Sequence, residues 1–258
     1  MMDDLLCCKK VFEKRGFNRN LRAFFILSPI ALKLKKGILL SSMSNIHNPQ
    51  AAALPVQFKR NSFAVGLLKL IGWSVKFDGF PTRHGVLVVY PHTSNWDFCI
   101  GIMAKWALGI KLSYLAKDSL FKLPLLGLWM RHIGGRPVIR NSPQGYVADL
   151  SQEMKDSDYL WLVITPEGTR KKTPGWRSGF YRLALSAQVP IGLGFIDYGK
   201  KEVGVTQFLI LTGQEDLDLQ EIRRLYQDRV GYKPENMAPI SFWRPSESES
   251  LPSRQHKA

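Results

Sequence analysis

Two spacings of apolar residues alternate along the chain and predict its secondary structure. Short apolar runs that are rich in β-branched residues predict buried strands, whereas apolar residues three or four positions apart predict amphipathic helices. The clearest strand covers 85–90 and runs directly into Pro91 and His92. Further strands are predicted at 75–77, 112–116, 137–139, 159–165, 190–196 and 208–211. Helices are predicted at 63–73, 95–108, 121–131, 146–155, 178–186 and 217–230.

Strands that alternate with helices predict an α/β fold, with a mostly parallel central sheet flanked by helices. In such sheets the functional loops lie at the carboxyl ends of the strands. His92 follows one predicted strand directly, and the segment 165–170 follows another. We therefore expect these two loops to meet at one edge of the sheet.

The sequence divides into three predicted parts. Residues 59–215 form the α/β domain, and residues 216–258 form a C-terminal helix and then a flexible tail after Pro239, rich in Ser and Glu. Residues 1–58 form a basic and apolar N-terminal extension that ends in a linker. Three interpretations of this extension stay open: a segment that lies in a bilayer interface, a leader without fixed structure, or sequence upstream of a start at Met43.

Composition adds a strong positive charge. The chain has 36 Lys and Arg against 21 Asp and Glu, a net charge of +15. This charge favours an anionic partner: nucleic acid, anionic lipid or a phosphorylated substrate. The three cysteines, Cys7, Cys8 and Cys99, imply no disulfide framework and fit a reducing compartment. No apolar run reaches the roughly 18 residues of a spanning helix and no signal peptide is predicted, so we expect a soluble or peripheral protein.

His92 and Asp97 are the first candidates for chemistry. A neutral imidazole takes a proton from a hydroxyl, and a carboxylate on its other nitrogen fixes the tautomer and stabilises the imidazolium. Positions five apart on a regular helix diverge by about 140°, so the pair needs a turn between strand and helix. A structural alternative exists, because Ser94 and Asp97 also have the spacing of a capping box before an apolar run.

Two loops combine glycine with cations and lack acidic residues. In one, Gly168 permits close approach of a ligand to the backbone, and Arg170 offers a planar fork that matches phosphate oxygens. In the other, Gly135 precedes Arg140 across a short strand, and no Asp or Glu occurs between 119 and 148. This segregated charge predicts one anion site or a basic face toward a membrane. A generally basic surface is the alternative.

Four motif blocks occur in the order and approximate spacing that is typical of the glycerolipid acyltransferases. The blocks are His92 with Asp97, Gly135 to Arg140, Glu167 to Arg170, and Val189 with Pro190. The chain resembles this family, the lysophosphatidate and lysophospholipid acyltransferases with an HxxxxD motif, over about residues 63–200. The stretch from Lys117 to Gly127 is also similar to the family. Val138 departs from it, because an aromatic residue is frequent there, and this leaves the acceptor less defined than the reaction.

The resemblance implies the fold of the glycerol-3-phosphate acyltransferases and the activity of an O-acyltransferase, similar to the 1-acylglycerol-3-phosphate O-acyltransferases. It implies that His92 deprotonates the acceptor hydroxyl and that Asp97 orients and stabilises His92. A backbone amide near the turn is expected to bind the oxyanion. The substrate-binding residues that the resemblance implies are Lys117, Gly135, Arg140, Glu167, Gly168, Thr169 and Arg170.

The resemblance also implies the partners. Acyl-CoA or acyl carrier protein is the donor, and a lysophospholipid such as lysophosphatidate is the acceptor. The protein is expected on an anionic membrane surface, peripheral on the cytoplasmic face, or in the cytoplasm. No metal or cofactor is expected, and no specific nucleic acid, since no RNA-recognition pattern occurs. The alternative is a membrane-binding or nucleic-acid-binding protein that has this fold without the activity.

Four further side chains are expected in the core. Cys99 is predicted to be a buried cysteine rather than a nucleophile. Trp96, Trp106 and Trp129 are predicted to pack in the core rather than to enter an interface.

Overall fold

The computed structural model describes residues 61–138 and 143–244. The predicted extension 1–58 lies outside these residues. The strands are β1 Ser74–Lys76, β2 His84–Val89, β3 Ser113–Lys117, β4 Gly135–Val138, β5 Leu160–Ile164, β6 Ile191–Asp197 and β7 Glu202–Leu209. The α-helices are α1 Ser62–Leu70, α2 Trp96–Leu108, α3 Pro124–His132, α4 Pro143–Asp156, α5 Gly179–Ala187 and α6 Glu215–Tyr226. Short 3-10 helices cover Asp118–Lys122 and Pro234–Asn236.

The strands form one sheet in the order β1-β7-β6-β2-β5-β3-β4. The five strands from β6 to β4 run parallel, whereas β7 is antiparallel to β6 and parallel to β1. The predicted α/β fold with a mostly parallel central sheet flanked by helices is therefore confirmed. Since β2 and β5 are parallel neighbours, the loops that follow them lie side by side at the carboxyl ends of the strands.

The central strands are apolar because helices cover both faces of the sheet. Every residue of β6 is buried. On one face, α1 and α2 form an apolar cluster with Ile196 and Val203. On the other, side chains of α4, α5 and α6 pack against β2, β5 and β6. Gly85 in β2 leaves room for an indole, since a Cβ there would lie 2.3 Å from the ring of Trp161.

Two helices begin at a proline, and both starts differ from those that the apolar periodicity predicts. The helix predicted at 121–131 is divided into a 3-10 helix that ends at Lys122 and α3, which begins at Pro124. Likewise α4 begins at Pro143 rather than at 146. Proline lacks the N–H that a helix interior needs, but its fixed φ suits the first helical position. The strand predicted at 208–211 instead spans Glu202–Leu209, and its mixed burial explains why no long apolar run marks it.

Helix α6 belongs to the same core as the sheet. Tyr226 is buried, and its hydroxyl lies 2.7 Å from the carbonyl oxygen of Val88 and 2.9 Å from that of Gly194. The side chain therefore links β2 to β6 at the end of the sheet where the loop after β2 begins. Leu219 and Ile222 of the same helix are also buried in this core.

The chain continues to contact the domain after Pro239, where the sequence predicts a flexible tail. Phe242 forms a strand-like bridge with Trp176, and the N–H of Trp243 donates to the Trp176 carbonyl at 2.9 Å. Residues 245–258 lie outside the described part of the chain. Over residues 61–138 and 143–244, none of the helices has the length and apolar character needed to cross a bilayer.

Candidate active site

His92 lies in the loop after β2, and Asp97 lies in the first turn of α2. This strand–turn–helix arrangement places His92 Nδ1 3.1 Å from Asp97 Oδ2. The Asp97 side chain is 2% exposed and that of His92 is 18% exposed. The carboxylate is therefore shielded from water, while part of the imidazole stays accessible.

The contact with Asp97 decides which nitrogen of His92 is basic. An ionised carboxylate only accepts hydrogen bonds, so the neutral imidazole carries its proton on Nδ1 and donates it to Asp97. Nε2 then keeps its lone pair on the far side of the ring. In this tautomer His92 is able to take a proton from a hydroxyl.

Asp97 is at the same time a helix-capping residue. Its Oδ2 accepts hydrogen bonds from the N–H groups of Thr93 and Ser94 at 2.8 and 2.9 Å. The two interpretations of the motif, a catalytic partner and a capped helix, thus describe one side chain. The N–H groups of residues 92–94 all donate to carboxylates inside the protein, so these three amides are not free to bind an oxyanion.

The second oxygen of Asp97, Oδ1, faces a residue that sequence analysis did not single out. Among the described residues, the buried Asp97 Oδ1 and the buried Tyr198 hydroxyl have no hydrogen-bond partner other than each other. Burial, and next the neighbouring Asp97 carboxylate, raise the pKa of Tyr198 well above its usual range. The Tyr198 ring also packs edge-on against Trp73, with 5.0 Å between ring centroids. The hydroxyl is therefore held close to the carboxylate that orients His92.

Glu167 binds the backbone of the His92 loop, whereas the resemblance implies a substrate-binding role for it. Its Oε2 accepts from the His92 N–H at 2.6 Å, and its Oε1 accepts from the Ala238 N–H at 3.1 Å. Burial raises the pKa of Glu167 to about 7, against the opposite effect of these two hydrogen bonds. Because both oxygens are occupied inside the protein, Glu167 holds the His92 backbone in place.

Gly168, Thr169 and Arg170 form the turn after Glu167. Gly168 has a φ of +66°, a left-handed conformation that favours glycine. Thr169 Oγ1 accepts a hydrogen bond from the Lys171 N–H at 3.3 Å, which tightens the turn. This geometry leaves the Arg170 side chain exposed beside the His92 loop.

A cationic pocket of about 360 Å³ opens beside the His92 loop. Arg170 and Lys171 reach it from one side and Lys233 from the other. The N–H of Lys233 donates to Thr93 Oγ1 at 3.0 Å, which fixes the segment around Lys233 against the His92 loop. Three cations without an acidic side chain suit the oxygens of a phosphate group. The full lining is Thr93, Ser94, Asn95, Trp96, Arg170, Lys171, Tyr232, Lys233 and Asn236.

An apolar cavity of about 210 Å³ begins at His92 and Asp97. It follows one face of α2 as far as Leu108, a distance of about 16 Å at the helical rise per residue. Lys105 lies along it, and its ammonium donates to the carbonyls of Leu112 and Ile133 at 3.0 and 2.5 Å; burial lowers the pKa of Lys105. The cavity suits an alkyl chain. Its apolar side chains are Phe77, Leu87, Val89, Phe98, Ile102, Ala104, Leu108, Ile110, Leu112, Leu115, Val163, Phe195, Ile196, Val203 and Val205.

Among the predicted substrate-binding residues that the structure describes, only Arg170 lines one of these two spaces. Gly135 begins β4, at the amino end of the strand, whereas His92 follows the carboxyl end of β2. A Cβ at position 135 would lie 2.7 Å from the Met130 carbonyl oxygen, so Gly135 allows close packing. Lys117 ends β3 on the same edge as His92, but it is exposed and lines neither space. Arg140 lies outside the described residues.

The expectation that Cys99 and three tryptophans lie in the core is wrong. Cys99 is exposed, and Trp96, Trp106 and Trp129 are 60%, 46% and 44% exposed. On α2 the inward face is occupied by side chains such as Ile100, and positions 96, 99 and 106 project from other faces of the helix. The helical periodicity of α2 is correct, but its weakly amphipathic sequence does not show which face is buried.

Sequence reasoning also missed the segment 231–238. Tyr232, Lys233 and Asn236 line the cationic pocket, and Ala238 binds Glu167. No motif marks this segment, and the only signal is an aromatic and a basic residue directly after the last predicted helix. Among the residues that the structure describes, no group of three or more His, Cys, Asp or Glu side chains is placed to hold a metal ion.

Comparison with known proteins covers the part of the chain that contains His92, Asp97 and Arg170. Residues 74–192 match the family model described as Acyltransferase. The 1-acyl-sn-glycerophosphate (LPA) acyltransferase PlsC from Thermotoga maritima is a solved structure with a partial likeness: the TM-score is 0.43 and the identity 16%, over 64% of this chain and 73% of that chain. No curated protein matches the sequence. The functional argument therefore rests on the family match and on the geometry.

Proposed function

We propose that this chain, whose residues 74–192 are a domain of the acyltransferase family, transfers a fatty acyl group from a thioester to the hydroxyl of a lysophospholipid. The donor is acyl-CoA or acyl carrier protein, and the acceptor is lysophosphatidate or a related glycerolipid. The observation that carries the proposal is the 3.1 Å contact between His92 Nδ1 and Asp97 Oδ2. It leaves Nε2 of a partly accessible histidine as the base, beside both an apolar cavity and a cationic pocket.

The reaction follows from this geometry as one direct transfer. Nε2 of His92 takes the proton of the acceptor hydroxyl while the hydroxyl oxygen attacks the thioester carbonyl carbon. The C–S bond of the tetrahedral intermediate then breaks, and the imidazolium returns the proton to the departing thiolate. Asp97 keeps Nδ1 protonated throughout and stabilises the transient positive charge on the ring. The products are an ester and a free thiol, and no acyl-enzyme forms.

The two spaces divide the substrates between them. The apolar cavity takes the acyl chain of the donor, because transfer of an alkyl chain from water into such a space is favourable by about 0.8 kcal/mol per methylene. The cationic pocket takes the phosphate of the acceptor at Arg170, Lys171 and Lys233. An acceptor whose phosphate is held there has its hydroxyl within reach of the His92 loop.

The test is an assay of the purified full chain with mixed acyl-CoAs and mixed lysophospholipids, with product lipids identified by mass spectrometry. His92→Ala is expected to lower the rate by about 10³-fold, as for loss of a general base. His132→Ala removes an exposed histidine from the end of α3 and is the matched control. If His92→Ala retains activity within a few-fold of wild type, the proposed mechanism is wrong.

A further inference from the structure

Helix α3 carries an apolar stripe on its exposed side. Leu123 directly before the helix is 54% exposed, Leu125 is 86% exposed, Leu128 is 70% exposed and Trp129 is 44% exposed. Positions 125, 128 and 129 are three and four residues apart, so they share one helix face. We call these four residues the leucine stripe. Large apolar side chains grouped this way on a surface mark an interaction site.

The opposite face of α3 is already occupied. Gly127 and Met130 are buried, and a Cβ on Gly127 would lie 2.4 Å from the Phe121 carbonyl oxygen. The helix is therefore held against the domain by its small and inward residues. The leucines of the stripe are left over from that packing, so the described part of the fold gives them no role.

The residues around the leucine stripe carry positive charge, which favours contact with an anionic surface. Lys122 is 73% exposed, and its ion pair with Asp118 at 3.1 Å is also exposed. Arg131 lies over the Phe121 ring at 5.3 Å and keeps its charge at the surface. No Asp or Glu occurs between 119 and 148 in the sequence. Basic residues beside an exposed apolar helix face are typical of helices that lie in the interface of an anionic bilayer.

The position of the stripe relates it to the candidate active site. The segment 118–123 leaves the carboxyl end of β3, which is the edge of the sheet that bears the His92 loop. Trp129 of the stripe contacts Phe98, with 6.3 Å between ring centroids, and Phe98 lines the apolar cavity directly after Asp97. A surface that contacts the stripe thus lies next to the wall of the cavity.

We infer that the leucine stripe is a membrane-docking surface, and that its partner is a bilayer that contains anionic lipid. The side chains of Leu125 and Leu128 enter the level of the headgroups, while Lys122 and Arg131 contact the phosphates. As far as this surface serves to present lipid substrates to His92, the inference rests on the proposed function. Binding to the bilayer itself does not depend on turnover.

The experiment uses the full chain and vesicles of phosphatidylcholine with or without phosphatidylglycerol. The double variant Leu125→Glu/Leu128→Glu is compared with Ile210→Glu/Leu217→Glu, which adds the same charge at two other exposed apolar positions. In sedimentation, the first variant is expected to lose at least about tenfold in affinity for the anionic vesicles, and the control variant should stay within about twofold. Equal losses in both variants would overturn the inference.

Hydrogen exchange locates the contact with lipid, even if another part of the chain also binds the vesicles. Amides of residues 123–132 in the wild-type chain are expected to exchange more slowly when anionic vesicles are added, and unchanged exchange there would overturn the inference. Turnover of a short-chain, water-soluble substrate pair is measured in parallel and should be equal in both double variants and wild type. Slower exchange without any turnover would support docking while contradicting the proposed function, so the two failures are distinguishable.

Discussion

The apolar cavity and the cationic pocket meet at the same histidine loop but are built differently. The cavity is walled by α2 and by strands of the central sheet, so it is part of the packed interior. The pocket is assembled from loops and helix ends, and three of its residues, Tyr232, Lys233 and Asn236, come from beyond the segment 74–192. A change in the cavity should therefore alter the acyl chain that is accepted, and a change in the pocket should alter the acceptor headgroup.

The largest effect is expected at the proposed base, which would act on every pair of substrates. Asp97→Asn removes the charge that keeps His92 Nδ1 protonated and stabilises the imidazolium, so the rate should fall by about 10³-fold for every donor and acceptor. Rates are measured over a panel of both substrates, with the exposed Asp118→Asn as control. A loss confined to one class of acceptor would contradict the common base.

Glu167 connects the His92 loop to the segment 231–238, because its carboxyl accepts hydrogen bonds from the N–H groups of His92 and Ala238. Its pKa is raised from 4.5 to about 7. The unfolded carboxyl ionises above 4.5 while the folded one keeps its proton, so the stability contribution is complete below pH 4.5 and is lost as pH rises through about 7. Because the carboxyl is buried, the loss is on the order of 3 kcal/mol.

Urea unfolding at intervals from pH 4.5 to 7.5 measures this loss. The difference in unfolding free energy between wild type and Glu167→Gln should change across that window in the stated direction. Glu235→Gln, at an exposed position of the 3-10 helix Pro234–Asn236, is the control and should run parallel to wild type. Parallel curves for Glu167→Gln as well would show that the carboxyl does not titrate there.

Changes in the cationic pocket should act on the acceptor alone. Removing one hydrogen bond to a charged group costs about 1.5–3 kcal/mol, so Arg170→Gln or Lys233→Gln should lower kcat/KM for lysophosphatidate by roughly 10- to 100-fold. The rate with an uncharged monoacylglycerol should change little. Lys172→Gln is the matched control, since Lys172 lies in the same loop and does not line the pocket. Equal losses of kcat/KM with both acceptors would show that the cationic pocket does not bind the acceptor phosphate.

Changes in the apolar cavity should act on the acyl chain alone. Gly101 lines the cavity, and a Cβ there would meet only Ile196 Cδ1, at 3.9 Å. Gly101→Leu therefore extends into the cavity. At about 0.8 kcal/mol per methylene, kcat/KM for the longest acyl-CoA should fall by about tenfold for every two methylenes displaced. Short acyl-CoAs should be unaffected, and Gly66→Leu, in open space on α1, controls for the substitution itself.

The sequence predicts contacts between residues that are close in the chain, and it does not predict the contacts that bring distant segments to the cationic pocket. His92 and Asp97 are close in the chain, and one strand followed by one helix is enough to bring them together. Lys233 reaches Thr93 only through the docking of α6 on the sheet, because 140 residues separate them. No periodicity or motif contains that contact.

Glu167 shows a second limit of sequence reasoning. A carboxylate beside Gly168 and Arg170 is equally consistent with binding a ligand and with binding backbone N–H groups. Its burial decides between the two, since only 2% of the residue is exposed. Burial at this position depends on the packing of the segment 231–238, which local patterns do not encode.

The smallest effect is expected at Tyr198, and it tests whether the base is supported from the interior as well as from the loop. Tyr198→Phe removes the hydroxyl beside Asp97 Oδ1 and leaves the ring packed against Trp73. The hydroxyl acts on His92 only through Asp97, so its loss should cost the transition state about 1 kcal/mol. We therefore expect kcat to fall by about fivefold, and neither KM nor the acyl-chain profile should change. Because Tyr198 lines neither space, a change in KM for either substrate would show that Tyr198 acts on a binding surface instead. An unchanged kcat would show that Oδ2 alone positions His92, through the loop amides that it already binds.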